Sequence, residues 1–148
     1  MSDYHKIVVG TDGSESSHLA VTRAAAIAKA FDATLIIGCA YYDSKDAASK
    51  SNRKDSVLVV GGDPAQANLE GAKSVALDAG APKVETAIES GAPAEALMKI
   101  VTKEGADLLV VGNRGINTLT GRLLGSVPAD VARQSECDVM IVHTVAKS

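Results

Sequence analysis

Five short segments of strand character alternate with four of helical period along this chain. Lys6-Ile-Val-Val-Gly10 is a continuous apolar run that reads as a buried strand. After it, Ala20, Ala24, Ile27, Ala28 and Phe31 recur at the spacing of one helix face, which predicts an amphipathic helix with these residues inward. Thr34 to Ala40 is a second strand. Asp63-Pro64 supplies an N-cap and a first-turn proline for a helix presenting Leu69, Ala72, Val75 and Ala76, and Gly80 and Pro82 end it. Val84 to Glu89 reads as a third strand. Pro93 opens a helix with Ala96, Leu97, Ile100 and Val101 inward, closed by Gly105. Leu108 to Val111 is a fourth strand, about Val127 to Gln134 a helix, and Val139 to Val142 a fifth strand.

Strictly alternating strands and helices predict an α/β fold: a doubly wound parallel sheet with right-handed crossovers and helices on both faces. The strands show little period-two alternation, as expected when both faces are covered. A chain of 148 residues suits a single domain spanning 1–148. Tyr42 to Gly62 is longer than an ordinary connection and polar through Asp43 to Asp55, so it is expected to be a flexible insert. Within it, Ser56 to Val60 has the character of a short extra edge strand.

The densest chemistry follows the fourth strand. Gly112-Asn113-Arg114-Gly115, then nine residues to Gly125-Ser126, joins a buried strand to a helix start through glycines. Glycines let backbone N–H groups approach phosphate oxygens, and the helix N-terminus adds partial positive charge there. The same residues also read as ordinary punctuation, with Gly112 ending a strand, Gly121 and Gly125 turning, and Ser126 capping. Gly10-Thr11-Asp12-Gly13-Ser14 is a second small-residue loop running into a helix. With strand order 3-2-1-4-5, the winding reverses between strands one and four, which carry these two loops. Asp12 then faces the phosphate cradle as an acceptor for ribose hydroxyls, or serves as a turn former beside a Ser14 cap.

Charge and composition narrow the partners. Net charge is −3 with Lys and Arg scattered, so no basic face advertises nucleic acid. The apolar runs are too short to cross a bilayer and the N-terminus lacks a signal-peptide core, so the expectation is a cytoplasmic protein with no membrane partner. Cys39 and Cys137 stand singly and are expected to be small buried apolar residues.

The Gly112, Gly115, Gly125, Ser126 spacing, the Val9-Gly-Thr-Asp-Gly-Ser14 start and the terminal strand Asp138 to His143 together resemble a universal stress protein of the ATP-binding type. The resemblance covers the chain apart from the Tyr42 to Gly62 insert. It implies an adenine-nucleotide-binding stress-response regulator, with Thr11, Asp12 and Ala40 around base and ribose. The Gly112 to Val127 loop would surround the phosphates. Gly10, Val111 and Asn113 complete the candidate set, and Arg114 and Arg122 could add charge-assisted bonds to phosphate. The expected ligand is ATP, alone or with Mg²⁺. Gly121 to Ala129 with Gly112-Asn113 also resembles a branch of the family that binds cyclic AMP. Arg114 tilts the choice towards the triphosphate. The fifth strand, Val139-Met140-Ile141-Val142, lies at an edge in this order and carries no Pro or charge, which predicts a homodimer through it. The resemblance points the same way.

Other readings fare worse on the residues. A receiver domain needs an acidic cluster, a phosphorylatable Asp and a Lys where this chain offers Asp12, Glu89-Ser90 and His143-Thr144. A flavodoxin-like FMN protein leaves the second glycine loop unexplained. His5, His18 and His143 are isolated, and no Walker lysine, nucleotidyl-transfer or Ser-His-Asp constellation is present. Enzymatic activity is therefore expected to be at most slow ATP hydrolysis.

Overall fold

The computed structural model describes residues 3–43, 59–113 and 126–144. Its elements are β1 (Lys6–Gly10), α1 (Glu15–Phe31), β2 (Thr34–Tyr41), α2 (Gly62–Asp78), β3 (Lys83–Ser90), α3 (Pro93–Glu104), β4 (Leu108–Gly112), α4 (Ser126–Gln134) and β5 (Asp138–Val142). The strands form one parallel sheet in the order β3-β2-β1-β4-β5, the expected topology. Alternate residues feed two cores. Ile7, Val9, Leu35, Ile37, Leu108 and Val110 pack beneath α1 and α2. Val8, Ile36, Leu109 and Val111 pack beneath α3 and Val131 of α4. Burial of both side-chain sets is why these strands are apolar throughout rather than at every second position.

Helix boundaries follow local chemistry where a cap decides them. Ser14 caps α1, its Oγ accepting from the Ser17 N–H at 3.2 Å, and Glu15 complements the dipole in the first turn. Pro93 stands in the first turn of α3, and Gly105, in the left-handed conformation at φ 65°, ends it. α2 differs from expectation. It begins at Gly62 with Gly61 as N-cap at φ 89°, so Asp63 lies inside the first turn as a dipole partner instead of capping it.

Two inward expectations are corrected. Phe31 is 41% exposed, because it closes the last turn of α1 and its ring packs edge-on against Tyr4 at 5.2 Å. Cys137 is half-buried, with its Sγ 3.4 Å from Ser135 Oγ. Of the Tyr42 to Gly62 stretch, residues 44–58 lie outside the described residues. Its ends are joined by a parallel bridge between Tyr42 and Val60, with Tyr42 N–H donating to Val59 O and Gly61 N–H to Tyr42 O, both at 2.8 Å.

Candidate functional site

At the carboxyl end of the sheet, β1 and β2 lie in register with Gly10 opposite Gly38. The two glycines let α3 come close. A Cβ on Gly10 would lie 2.9 Å from Leu97 Cδ1, and one on Gly38 would lie 2.8 Å from Ile100 Cδ1. Above this pair opens a crevice of about 720 Å³, counting the part open to solvent. It lies at the reversal of winding between β1 and β4, where doubly wound sheets bind their ligands.

One wall is the loop after β1, and its own side chains hold it. Thr11 N–H donates to Gly38 O at 2.9 Å. Thr11 Oγ1 pairs with Ser17 Oγ at 2.9 Å and accepts from Gly13 N–H at 3.2 Å. Asp12 Oδ1 accepts from Ser14 N–H at 2.9 Å, an Asx turn that leaves the carboxylate facing the crevice it lines. Gly13 sits at φ +84°, which a side chain rarely tolerates, beneath the Asn68 amide. Asp12 is thus a turn former and a crevice residue at once. Ser14, Ser16 and Ser17 add hydroxyls to this wall.

The facing walls are apolar. Ala40, Val59, Pro93, Leu97 and Val111 line them, and Val127 and Pro128 bring the first turn of α4 to the opening. Of the residues singled out in the sequence, the structure brings together Gly10, Thr11, Asp12, Ala40, Val111, Gly112 and Val127. Asn113 takes another course. It is buried, its backbone N–H donates to Val142 O at 2.9 Å, and its side-chain Oδ1 accepts from Thr144 N–H at 2.9 Å and from Thr144 Oγ1 at 3.2 Å. Gly112 serves the same junction, since a Cβ there would lie 3.2 Å from Thr144 Cγ2. Arg114, Gly115, Arg122 and Gly125 lie outside the described residues, as does the side chain of Ser126, which opens α4.

The lining residues that sequence reasoning passed over, Gly38, Pro93 and Leu97 among them, come from β2 and α3. Gly38 left a signal, because a lone glycine within an apolar strand marks a close approach. Cys39 beside it faces the α1–α2 core, where burial pushes its thiol up to about 11 and the Asp12 charge adds to this against a weak bond from Asn68. It stays protonated and offers no nucleophile. Among the described residues no group of His, Cys, Asp or Glu could hold a metal ion, and no helix is long and apolar enough to cross a membrane.

The model of the universal stress protein family matches residues 3–143. The chain belongs to that family. Among its relatives, a universal stress protein of Mycobacterium tuberculosis strain H37Rv is 51% identical, over 97% of this chain and 99% of its own. A universal stress protein crystallised in complex with cAMP superposes with a TM-score of 0.77 at 46% identity, covering 97% of this chain and 100% of that one. A universal stress protein from Archaeoglobus fulgidus shares the fold, with a TM-score of 0.70 at 20% identity over 93% of both chains.

Proposed function

We propose that this universal stress protein binds an adenine nucleotide in the crevice between the β1 loop and the β4–α4 junction. The observation that carries the reading is the crevice's polarity. Hydroxyls and the Asp12 carboxylate form one wall, apolar residues form the others, and a helix start stands at the opening. The apolar walls at Ala40, Val59 and Leu97 suit an adenine base, Thr11 and Asp12 suit the ribose, and the start of α4 with Gly112 suits phosphate. The 46%-identical protein in complex with cAMP supports the same class of ligand.

Two observations favour different nucleotides. That relative favours cyclic AMP. Arg114, inside the glycine loop that ends at Ser126, favours ATP, with or without Mg²⁺. Calorimetric titration of both at equal salt decides between them, and Arg114→Ala weakens ATP more than cyclic AMP if Arg114 reaches a second phosphate. Gly115→Val and Gly125→Val abolish binding in folded protein, because each puts a branched side chain where the backbone must approach phosphate. Unchanged affinity in both variants overturns the reading.

The reading includes a homodimer through β5, the edge strand beside β4, which would satisfy its free backbone groups. Light scattering at micromolar concentration tests it, a monomer overturning it. Val142 is buried within its own subunit, so substitutions that probe the edge belong at Met140 or Ile141.

A further inference from the structure

Beyond the crevice, one polar cluster joins the end of β4 to the end of β5. The Asn113 amide has its orientation dictated by its neighbours. Thr144 N–H can only donate, so the Asn113 atom 2.9 Å from it is Oδ1 and the opposite atom is Nδ2, a donor. Asn113 Nδ2 lies 3.0 Å from His143 Nδ1. His143 Nδ1 must therefore accept, which requires the neutral ring with its proton on Nε2. His143 itself is exposed, so water and protons reach it freely. Gly112, one residue before Asn113, lines the crevice, whereas Asn113 does not.

We propose that Asn113 is a positioning residue that clamps the crevice end of β4 to β5, and that the neutral His143 ring completes the clamp, so that protonation of His143 loosens nucleotide binding. The coupling to ligand rests on the proposed nucleotide site. A protonated ring presents N–H at Nδ1 to the Asn113 amide donor, replacing an attraction with a clash of two donors. Among the described residues the ring takes part in no ion pair, its chain neighbours Val142 and Thr144 are uncharged, and so is Gly112, which pairs with Val142. Arg114, which follows Asn113, lies outside the described residues.

The test exploits a reversal of sign. Affinity is measured by calorimetry from about pH 8 to about pH 5.5, the range in which histidines take up a proton, with cyclic AMP, whose phosphodiester does not titrate there; ATP is read only as the difference between wild type and His143→Ala, because its terminal phosphate takes up a proton in the same range. The wild type should lose roughly two- to tenfold in affinity on acidification, the cost of one hydrogen bond. Asn113→Asp keeps the acceptor for Thr144 but replaces the donor with an acceptor. The neutral ring can answer only by moving its proton to Nδ1, and the protonated ring bonds the new carboxylate most strongly, so the affinity of this variant should rise on acidification where that of the wild type falls. His143→Ala, at an exposed position, should flatten the cyclic AMP profiles of both the wild type and Asn113→Asp. A ligand contact or a general packing role for Asn113 would not invert the slope, so parallel profiles in wild type and Asn113→Asp, or a cyclic AMP slope that survives His143→Ala, overturn the proposal. Should Asn113→Asp fail to fold, the wild-type and His143→Ala profiles still decide. Ring ¹⁵N shifts of His143 in ligand-free protein provide an independent arm. A proton on Nε2 with bare Nδ1 is the expected result, and a proton on Nδ1 of the neutral ring overturns the clamp. Absence of binding by wild type at every pH overturns the coupling through failure of the nucleotide reading, and is told from failure of the clamp by those shifts.

Discussion

At the amino ends of the strands, the Asp107 carboxylate accepts from the backbone N–H groups of His5 and Lys6 at 2.9 and 3.2 Å, while at the carboxyl ends the Asp12 carboxylate turns back onto Ser14 in its own loop. Around Asp107 the contacts run between segments. Lys6 Nζ donates to Glu104 O at 3.0 Å, and Tyr4 Oη donates to Asp138 Oδ2 at 2.8 Å, reaching from the segment before β1 to the start of β5. Around Asp12 the side-chain bonds stay local, with Thr11, Gly13, Ser14 and Ser17 bonded among themselves, and one backbone bond, Thr11 N–H to Gly38 O, ties the loop to β2. Polar groups that tie one strand to the next close the sheet. Polar groups that tie a loop to itself fix its shape and leave the gap beside it for a ligand. If the crevice holds the proposed nucleotide, binding is sensitive at the carboxyl end alone, and substitutions at each end should show it.

The largest effect is expected at the carboxyl end, from filling the glycine pair. Gly38→Val puts its Cβ 2.8 Å from Ile100 Cδ1 and 3.4 Å from Leu97 Cδ2, both on the helix that floors the crevice. Overpacking of this kind costs about 1–3 kcal/mol, and the shift that Ile100 passes through α3 to Leu97, which lines the crevice, should weaken nucleotide binding as well. Urea denaturation and calorimetry on the same preparation check both, and undiminished affinity would show that the floor does not shape the site. Next comes Asp12→Ala, expected to weaken nucleotide binding by roughly 1–3 kcal/mol while costing about 1 kcal/mol of stability or less. Asp12→Asn retains a side-chain oxygen for the Ser14 turn but removes the charge. Full affinity in Asp12→Asn would leave Asp12 as a turn former.

How far this division was legible in the sequence depends on the range of the interactions. β1, β4 and α3 were readable to within a residue because continuous apolar runs, Pro93 and Gly105 mark them locally. The start of α2 was not, since Gly61 at positive φ displaced the better-looking cap at Asp63. Helical period placed Phe31 inward, but at the last turn of α1 the contact available is Tyr4, which only the folded chain brings there. The β1 half of the crevice was visible as a small-residue loop. Its opposite wall was not, because Pro93 and Leu97 enter through the docking of α3 on Gly10 and Gly38. Asn113 shows the same limit, as its partners His143 and Thr144 stand about thirty residues along the chain and meet it only through the pairing of β4 with β5.

At the amino end, Asp107→Ala leaves two backbone N–H groups without their acceptor. The loss of two such bonds should cost roughly 1–2 kcal/mol of stability, lessened where water replaces the carboxylate. Nucleotide affinity should not change, since Asp107 lies at the opposite end of β4 from the crevice. A loss of affinity in folded Asp107→Ala would mean that the two ends are coupled through β4.

The smallest effect belongs to Tyr4. Its phenol is held above the usual value first by the hydrogen bond to Asp138, then by desolvation and by the charges of Asp138 and Asp107. A folded-state value above the unfolded one means that the contact contributes in full while the phenol is protonated and is lost as pH rises through the folded value, where a tyrosinate would face a carboxylate. Because the hydrogen bond to Asp138 is exposed to solvent, the contribution should be a small fraction of that expected at Asp107. Tyr4→Phe keeps the ring against Phe31 and removes only the hydroxyl. The variant should be marginally less stable than wild type at neutral pH, and the gap should close and then reverse above about pH 10, near the ordinary tyrosine value. Thermal melts of both proteins from neutral to alkaline pH check this, and a gap that stays constant across the range would mean that the Asp138 contact adds nothing to the closed end of the sheet.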